Sequence, residues 1–95
     1  MKNSEIIDKL VKDNGYEYNL SKASEEFQEL ALVLTQKLNK PTKVEDSAII
    51  EEIGDVIIRL RILKKMFDKD KIKERVNYKL GKYQEYIDHK LYKKI

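Results

Sequence analysis

Apolar residues recur along this chain at the three- and four-residue spacing of amphipathic helices, and the two-residue alternation of half-buried strands is absent. Ile6, Ile7, Leu10 and Val11 form the apolar side of a short first helix over residues 4–12, with Asn3 or Ser4 able to cap it. Asp13-Asn14-Gly15 ends it, because Asn and Gly accept the left-handed backbone of helix stops. A second helix, capped by Asn19 or Ser21, runs to about Leu38 on the stripe Leu20, Ala23, Phe27, Leu30, Ala31, Leu34 and Leu38. Asn39-Lys40-Pro41-Thr42 breaks it, since proline cannot continue a helix. The third helix covers residues 44–67, with Ile49, Ile53, Val56, Ile57, Leu60, Leu63 and Phe67 as its core stripe. After a capped turn at Asp68-Lys69-Asp70, a last helix carries Ile72, Val76, Leu80, Tyr83, Ile87 and Leu91, a clean bundle seam. Beyond about His89 the tail is expected to fray.

The middle helices are apolar on more than one side. Leu32 and Val33 fall off the second stripe, and Ala48, Ile58, Ile62 and Met66 off the third. Such helices need more than one partner, so the pattern predicts an all-α four-helix bundle that self-associates. Gly54 weakens the third helix by about 1 kcal/mol relative to Ala; it is either simply tolerated or lets a backbone or ligand come close.

Ninety-five residues make one domain, residues 1–95, with no linker or low-complexity segment. A monomer of this size buries only about 60–65% of its unfolded surface, a further reason to self-associate. The absence of cysteine excludes a disulfide framework and a thiolate metal site. No apolar run nears the ~20 residues of a membrane span, and Met1-Lys2-Asn3 does not open a signal peptide, so a soluble, cytoplasmic protein without a membrane partner is expected.

The net charge of +3 is unevenly placed: residues 1–63 hold 9 basic and 12 acidic side chains, residues 64–95 hold 11 and 5. An acid-rich centre beside a basic tail suits a metal site next to a polyphosphate site. The acids carry a repeated pattern, Glu25-Glu26-Phe27-Gln28-Glu29 and Glu51-Glu52-Ile53-Gly54-Asp55. At about 100° per residue, Glu26 and Glu29 lie roughly 60° apart on one helix side, as do Glu52 and Asp55. In each copy the inner acid borders the apolar stripe. If the two helices pack antiparallel, four carboxylates converge, repel one another and lose solvent, and a divalent cation is the simplest thing to hold them there. Without cysteine, and with the only histidine, His89, far off in sequence, the ion is hard and oxygen-bound, of the magnesium type. Glu25 and Glu51 point away from the core and read as surface or supporting residues. Arg59, four residues after Asp55, either pairs with it or reaches phosphate; the spacing favours the pair.

These residues match a known pattern. The chain resembles the MazG-like all-α nucleoside triphosphate pyrophosphohydrolases, especially the short single-domain versions of phages and Gram-positive bacteria. That family is marked by Glu-x-x-Glu, a spacer and Glu-x-x-Asp, here Glu26/Glu29 and Glu52/Asp55 with 22 residues between the pairs. Val76-Asn77-Tyr78-Lys79-Leu80 is similar to the family's tail segment, and Lys82 fits a basic position in it, while Tyr83 stands where arginine is often found. The resemblance covers roughly residues 5–87. It implies a homo-dimer or tetramer with Mg2+, or Mn2+, on Glu26, Glu29, Glu52 and Asp55. The implied reaction hydrolyses a (deoxy)nucleoside triphosphate between its α and β phosphates, giving monophosphate and pyrophosphate. Asn77, Lys79 and Lys82 are the implied substrate contacts. One alternative is an enzyme like phosphoribosyl-ATP pyrophosphohydrolase. The other is a non-enzymatic nucleic-acid- or protein-binding bundle using the basic last helix, with Tyr78, Tyr83, Tyr86 and Tyr92 free to stack. Nucleic acid is the less favoured partner, because Tyr83 is needed in the seam and the acids would then have no role.

Overall fold

Gly15 alone separates the first two helices. Its φ of +83° and ψ of 176° belong to a region only glycine enters readily, and the chain turns its first corner without a loop. The computed structural model describes residues 1–95. It is all helical: α1 (Asn3–Asn14), α2 (Tyr16–Asn39), α3 (Asp46–Met66), α4 (Lys69–Asp88) and a closing 3-10 turn (Tyr92–Lys94).

The first two helices start differently from the sequence expectation. Lys2, not Asn3 or Ser4, is the residue before α1, and the Glu5 carboxylate accepts its backbone N–H at 3.4 Å. Neither Asn19 nor Ser21 caps α2, which begins a turn earlier because the Gly15 carbonyl already accepts the Asn19 N–H. Asn19 is instead buried, and its side-chain amide donates to the Leu10 carbonyl at 3.1 Å, pinning α2 to the last turn of α1. The break at Pro41 falls where expected. Lys37 bridges it, its ammonium donating to the carbonyls of Pro41 (3.0 Å) and Val44 (2.7 Å) and lying 3.6 Å from Asp46. At α4 the Asp68 carboxylate accepts the N–H groups of Asp70 and Lys71, as the turn reading required. Lys90, at φ +57°, stops that helix, with its own N–H on Ile87 and that of Leu91 on Tyr86.

α2 and α3 form the principal packed pair, and α1 lies across it. Of the core stripe expected on α3, Ile49, Val56 and Leu63 do turn inward, half-buried, and the rest departs from the sequence reading. Ile62, placed off the stripe, is 1% exposed, and Ala48 and Met66 are half-buried with it. Ile53, Ile57, Leu60 and Phe67, placed on the stripe, stay exposed. On α2, Val33 likewise turns inward while Leu34 is exposed and Leu38 is 83% exposed. Each helix carries two apolar faces, and α1, α2 and α3 cover only the ones they share. Nothing comes within 4 Å of where a Gly54 Cβ would stand, so within one chain no backbone approaches there.

α4 packs on neither α1 nor α2 and meets α3 only at their elbow. There Tyr16 meets Phe67 edge to face at 6.3 Å, and an apolar cleft of about 700 Å³ opens between Leu20, Leu60, Leu63 and Phe67 on one side and Ile72 and Val76 on the other. The rest of the α4 seam faces outward, Leu80 at 57% exposure. The result is an open molecule. Its radius of gyration is 16.7 Å, against about 12 Å for a compact chain of this length. Its accessible surface is 7887 Å², against about 5,700 Å² for a compact monomer of its mass. Only Ile7, Asn19, Ala23 and Ile62 are buried. No helix is long and apolar enough to cross a membrane.

Candidate carboxylate site

The short Pro41 connection sends α3 back along α2, so Leu20 and Leu63 share one end of the pair and the acidic segments share its middle. Carboxylate oxygens of Glu26, Glu52 and Asp55 lie within 4.8 Å of one another. Glu26 and Glu52 are half-buried and Asp55 is exposed. The two inner acids do more than border the packed face. They are part of it, on the side of α3 that also carries Arg59 and Ile62.

Glu29 falls outside that 4.8 Å grouping, about 60° further round α2, and its residue is exposed. Its carboxyl still senses the others. Partial desolvation, then the nearby charges of Glu26 and Glu52, hold it above the ordinary carboxylate range. Glu25 and Glu51 are exposed, as expected. Glu25 lies 3.3 Å from the Lys22 ammonium, and this hydrogen bond and charge raise the lysine's pKa. Lys22 also stands 3.9 Å from Oε1 of Glu26.

The other oxygens are less well served. Oε2 of Glu26 and Oε2 of Glu52 are both buried without any hydrogen-bond partner. Buried polar atoms are nearly always paired, because losing water without a replacement is costly. Two anionic oxygens left so, on facing helices, fit the donor set of a hard divalent ion, which takes oxygen ligands from a few carboxylates. Asp55 is poised to complete such a set, and Glu29 stands at its rim.

The expected Asp55–Arg59 pair does not form. Arg59 makes no ion pair within 4 Å of any carboxylate, and its Nη1 is buried without a partner. Arg59 is half-buried on the inward side of α3, while Asp55 is exposed. Sequence spacing brought Arg59 into view as a partner of Asp55. It did not reveal Lys22 as a neighbour of Glu26, although the four-residue offset was its signal.

Asn77, Lys79 and Lys82 lie on α4, and within one chain they remain apart from the acids. Lys79 stacks on Tyr83 at 5.5 Å, and Lys82 lies over Tyr78 at 5.7 Å and 3.7 Å from Glu85. Arg75 also covers Tyr78, at 5.1 Å. A separate basic pocket gathers Ser4, Ile7, Arg61, Lys64, Lys65 and Lys69 near the start of α1. Arg61 is about 120° round α3 from Asp55, so this pocket does not open on the acids. Comparison of the chain with protein-family models, with characterised proteins and with solved structures gave no match.

Proposed function

We propose that the chain is a magnesium-dependent nucleoside triphosphate pyrophosphohydrolase of the MazG-like type, active as a homo-dimer or tetramer. The observation that carries this reading is the pair of buried, unpartnered oxygens on Glu26 and Glu52, with Asp55 within 4.8 Å of both side chains. An acidic cluster serving only as a solvated face would turn those oxygens to water. The repeated Glu-x-x-Glu and Glu-x-x-Asp motifs supply these three side chains from consecutive helices, with Glu29 beside them, so the packing supports the resemblance.

Glu26, Glu52 and Asp55 would hold Mg2+ or Mn2+, with Glu29 beside them. When bound, such an ion offsets the charge of a triphosphate and of the displaced pyrophosphate. The remaining work falls to the chain. Glu26 and Glu52 fix the site on the stiff α2–α3 pair. Glu29, exposed at the rim of the site, is placed to accept a proton from a water at its oxygens. That water's oxygen bonds to the α phosphorus while the bridging bond to the β phosphate breaks, and pyrophosphate leaves. The nucleoside monophosphate keeps the new oxygen.

Self-association is part of the same reading. The chain exposes about 2,200 Å² more than a compact monomer would, the size of an obligate interface. The unpaired α4 seam and the outer faces of α2 and α3 are what a second copy would cover. Through it Asn77, Lys79 and Lys82 gain a route to another chain's acids.

The test is pyrophosphate release from a mixed set of nucleoside and deoxynucleoside triphosphates with Mg2+ or Mn2+. Activity is expected in the wild-type chain and a fall of roughly a hundredfold or more in Glu52→Gln with Asp55→Asn. Absent activity, or activity that survives the double substitution, overturns the reading. Salt-sensitive DNA binding without hydrolysis would favour the basic α4 as a nucleic-acid surface instead.

A further inference from the structure

Four buried side-chain polar atoms in the whole chain lack a hydrogen-bond partner, and all four sit where α2 faces α3 or turns toward α1: Asn19 Oδ1, Glu26 Oε2, Glu52 Oε2 and Arg59 Nη1. Three of them are acceptors, two anionic, and the fourth is a cationic donor. A cation satisfies the two carboxylates and leaves the guanidinium as it was. The site is therefore chemically incomplete with a metal ion alone.

The placement of Arg59 is specific. Counting about 100° per residue, it lies some 40° round α3 from Asp55 and 20° from Glu52, one and two turns toward the helix C-terminus. Side chains on a helix lean toward its N-terminus, which aims Arg59 back at those two acids. Yet it bonds to neither, nor to any other carboxylate within 4 Å. Lys22 marks the same border from α2, but its ammonium is engaged by Glu25 and Glu26. Arg59 is thus the cation at this end of the cluster with a free, desolvated N–H. A planar guanidinium with open donors matches two oxygens of a phosphoryl group better than an ammonium does.

We infer that Arg59 is the anion-holding arm of the carboxylate site, donating to phosphoryl oxygens of a polyphosphate held at these carboxylates. This rests on the function proposed above and adds a cationic anchor to it, beside the carboxylates on the same side of α3. Arg59 is a binding and positioning residue here. It donates hydrogen bonds and transfers no proton.

Two titrations by calorimetry test this on the full-length chain, Mn2+ alone and then inorganic pyrophosphate in the presence of Mn2+. Arg59→Met keeps the length of the side chain and removes its charge, and Arg59→Lys keeps the charge and loses the fork. Arg59→Met is expected to weaken pyrophosphate binding about ten- to a hundredfold while Mn2+ binds as well as or better than to wild type. Arg59→Lys is expected to fall between the two, and its retained helicity shows that the site is folded. Pyrophosphate binding unchanged in both variants overturns the inference and leaves the proposed hydrolase standing. A wild-type chain that binds no pyrophosphate also overturns it. A wild-type chain that binds no Mn2+ but whose pyrophosphate binding is lost in Arg59→Met overturns the metal-dependent function and keeps Arg59 as an anion site.

Discussion

Glu29 shows how a single residue reports on the cluster it belongs to. Its carboxyl is held above the ordinary range by desolvation and by the charges of Glu26 and Glu52. A carboxyl with a raised folded-state pKa stabilises the fold fully below its unfolded value, about 4.3 for Glu, and that contribution is lost as pH rises through the raised value. In metal-free protein, ionised Glu29 is thus a liability near neutral pH, and Glu29→Gln is expected to raise the melting temperature there. Below about pH 4 the two proteins should converge, since both side chains are then neutral. With saturating Mg2+ or Mn2+ the order should reverse, because the ion converts repulsion among the acids into binding. Melts across this pH range, in chelator and in metal, check all three statements. A Gln variant that melts below wild type at pH 7 in chelator would mean that Glu29 is not repelled there. Arg59 differs from its local signal: its four-residue spacing from Asp55 suggested an ion pair, yet the half-buried arginine and the exposed acid form none.

At the scale of elements, the register of α2 against α3 decides whether the acids meet, and the Pro41 connection sets that register. Lys37 holds the connection through two backbone carbonyls and the nearby Asp46 carboxylate. Hydrogen bonds to a charged donor contribute about 1.5–3 kcal/mol each at best, less where solvent competes. Lys37→Met, which keeps the stem, should therefore lower stability by about 1–3 kcal/mol, seen as a lower urea midpoint with an unchanged slope. It should also weaken Mn2+ binding, since a looser connection lets Glu26 drift from Glu52. Stability unchanged within about 0.5 kcal/mol would show that Pro41 alone fixes the turn. The connection was plain in the sequence, as were four helices, the Asp68 cap and the acid pairs, because proline, capping and helical spacing are local signals. The Gly15 corner hid from the sequence because a glycine at a helix stop and one that starts the next helix look alike. The inward face of α3 hid for a different reason. Its sequence offers two apolar faces, and counting hydrophobic residues selects the richer one, with Ile53, Ile57 and Leu60. The chain's own packing takes Ile49, Val56 and Leu63 from the expected stripe and turns in Glu52, Arg59 and Ile62 beside them, the face on which the proposed site stands.

For the molecule as a whole, the richer faces left open become the main fact. Ile53, Ile57 and Leu60 on α3, Leu34 and Leu38 on α2, and Val76, Leu80 and Ile87 on α4 are all more than 40% exposed in one chain. An isolated 20-residue helix with so little tertiary contact is only marginally stable in water, since most helical stability in proteins comes from packing an apolar face. Under the proposed self-association, the stability of α4 and assembly are therefore coupled. Charge points the same way, because α4 and the tail are strongly basic while the rest of the chain is mildly acidic. The excess surface of about 2,200 Å² is large enough for the coupling to be strong. Light scattering should find a dimer or tetramer at micromolar concentration, and helicity by circular dichroism should fall on dilution as copies separate and α4 melts. Leu80→Glu places a charge in the middle of the seam and should shift the protein to a monomer with lower helix content at any concentration. Leu38→Glu, on a different helix and 83% exposed in the single chain, should do the same only if the outer face of α2 is also covered. A wild-type chain that stays monomeric at tens of micromolar with α4 fully helical would break the coupling, and would mean that α4 folds back on its own α2–α3 face in solution.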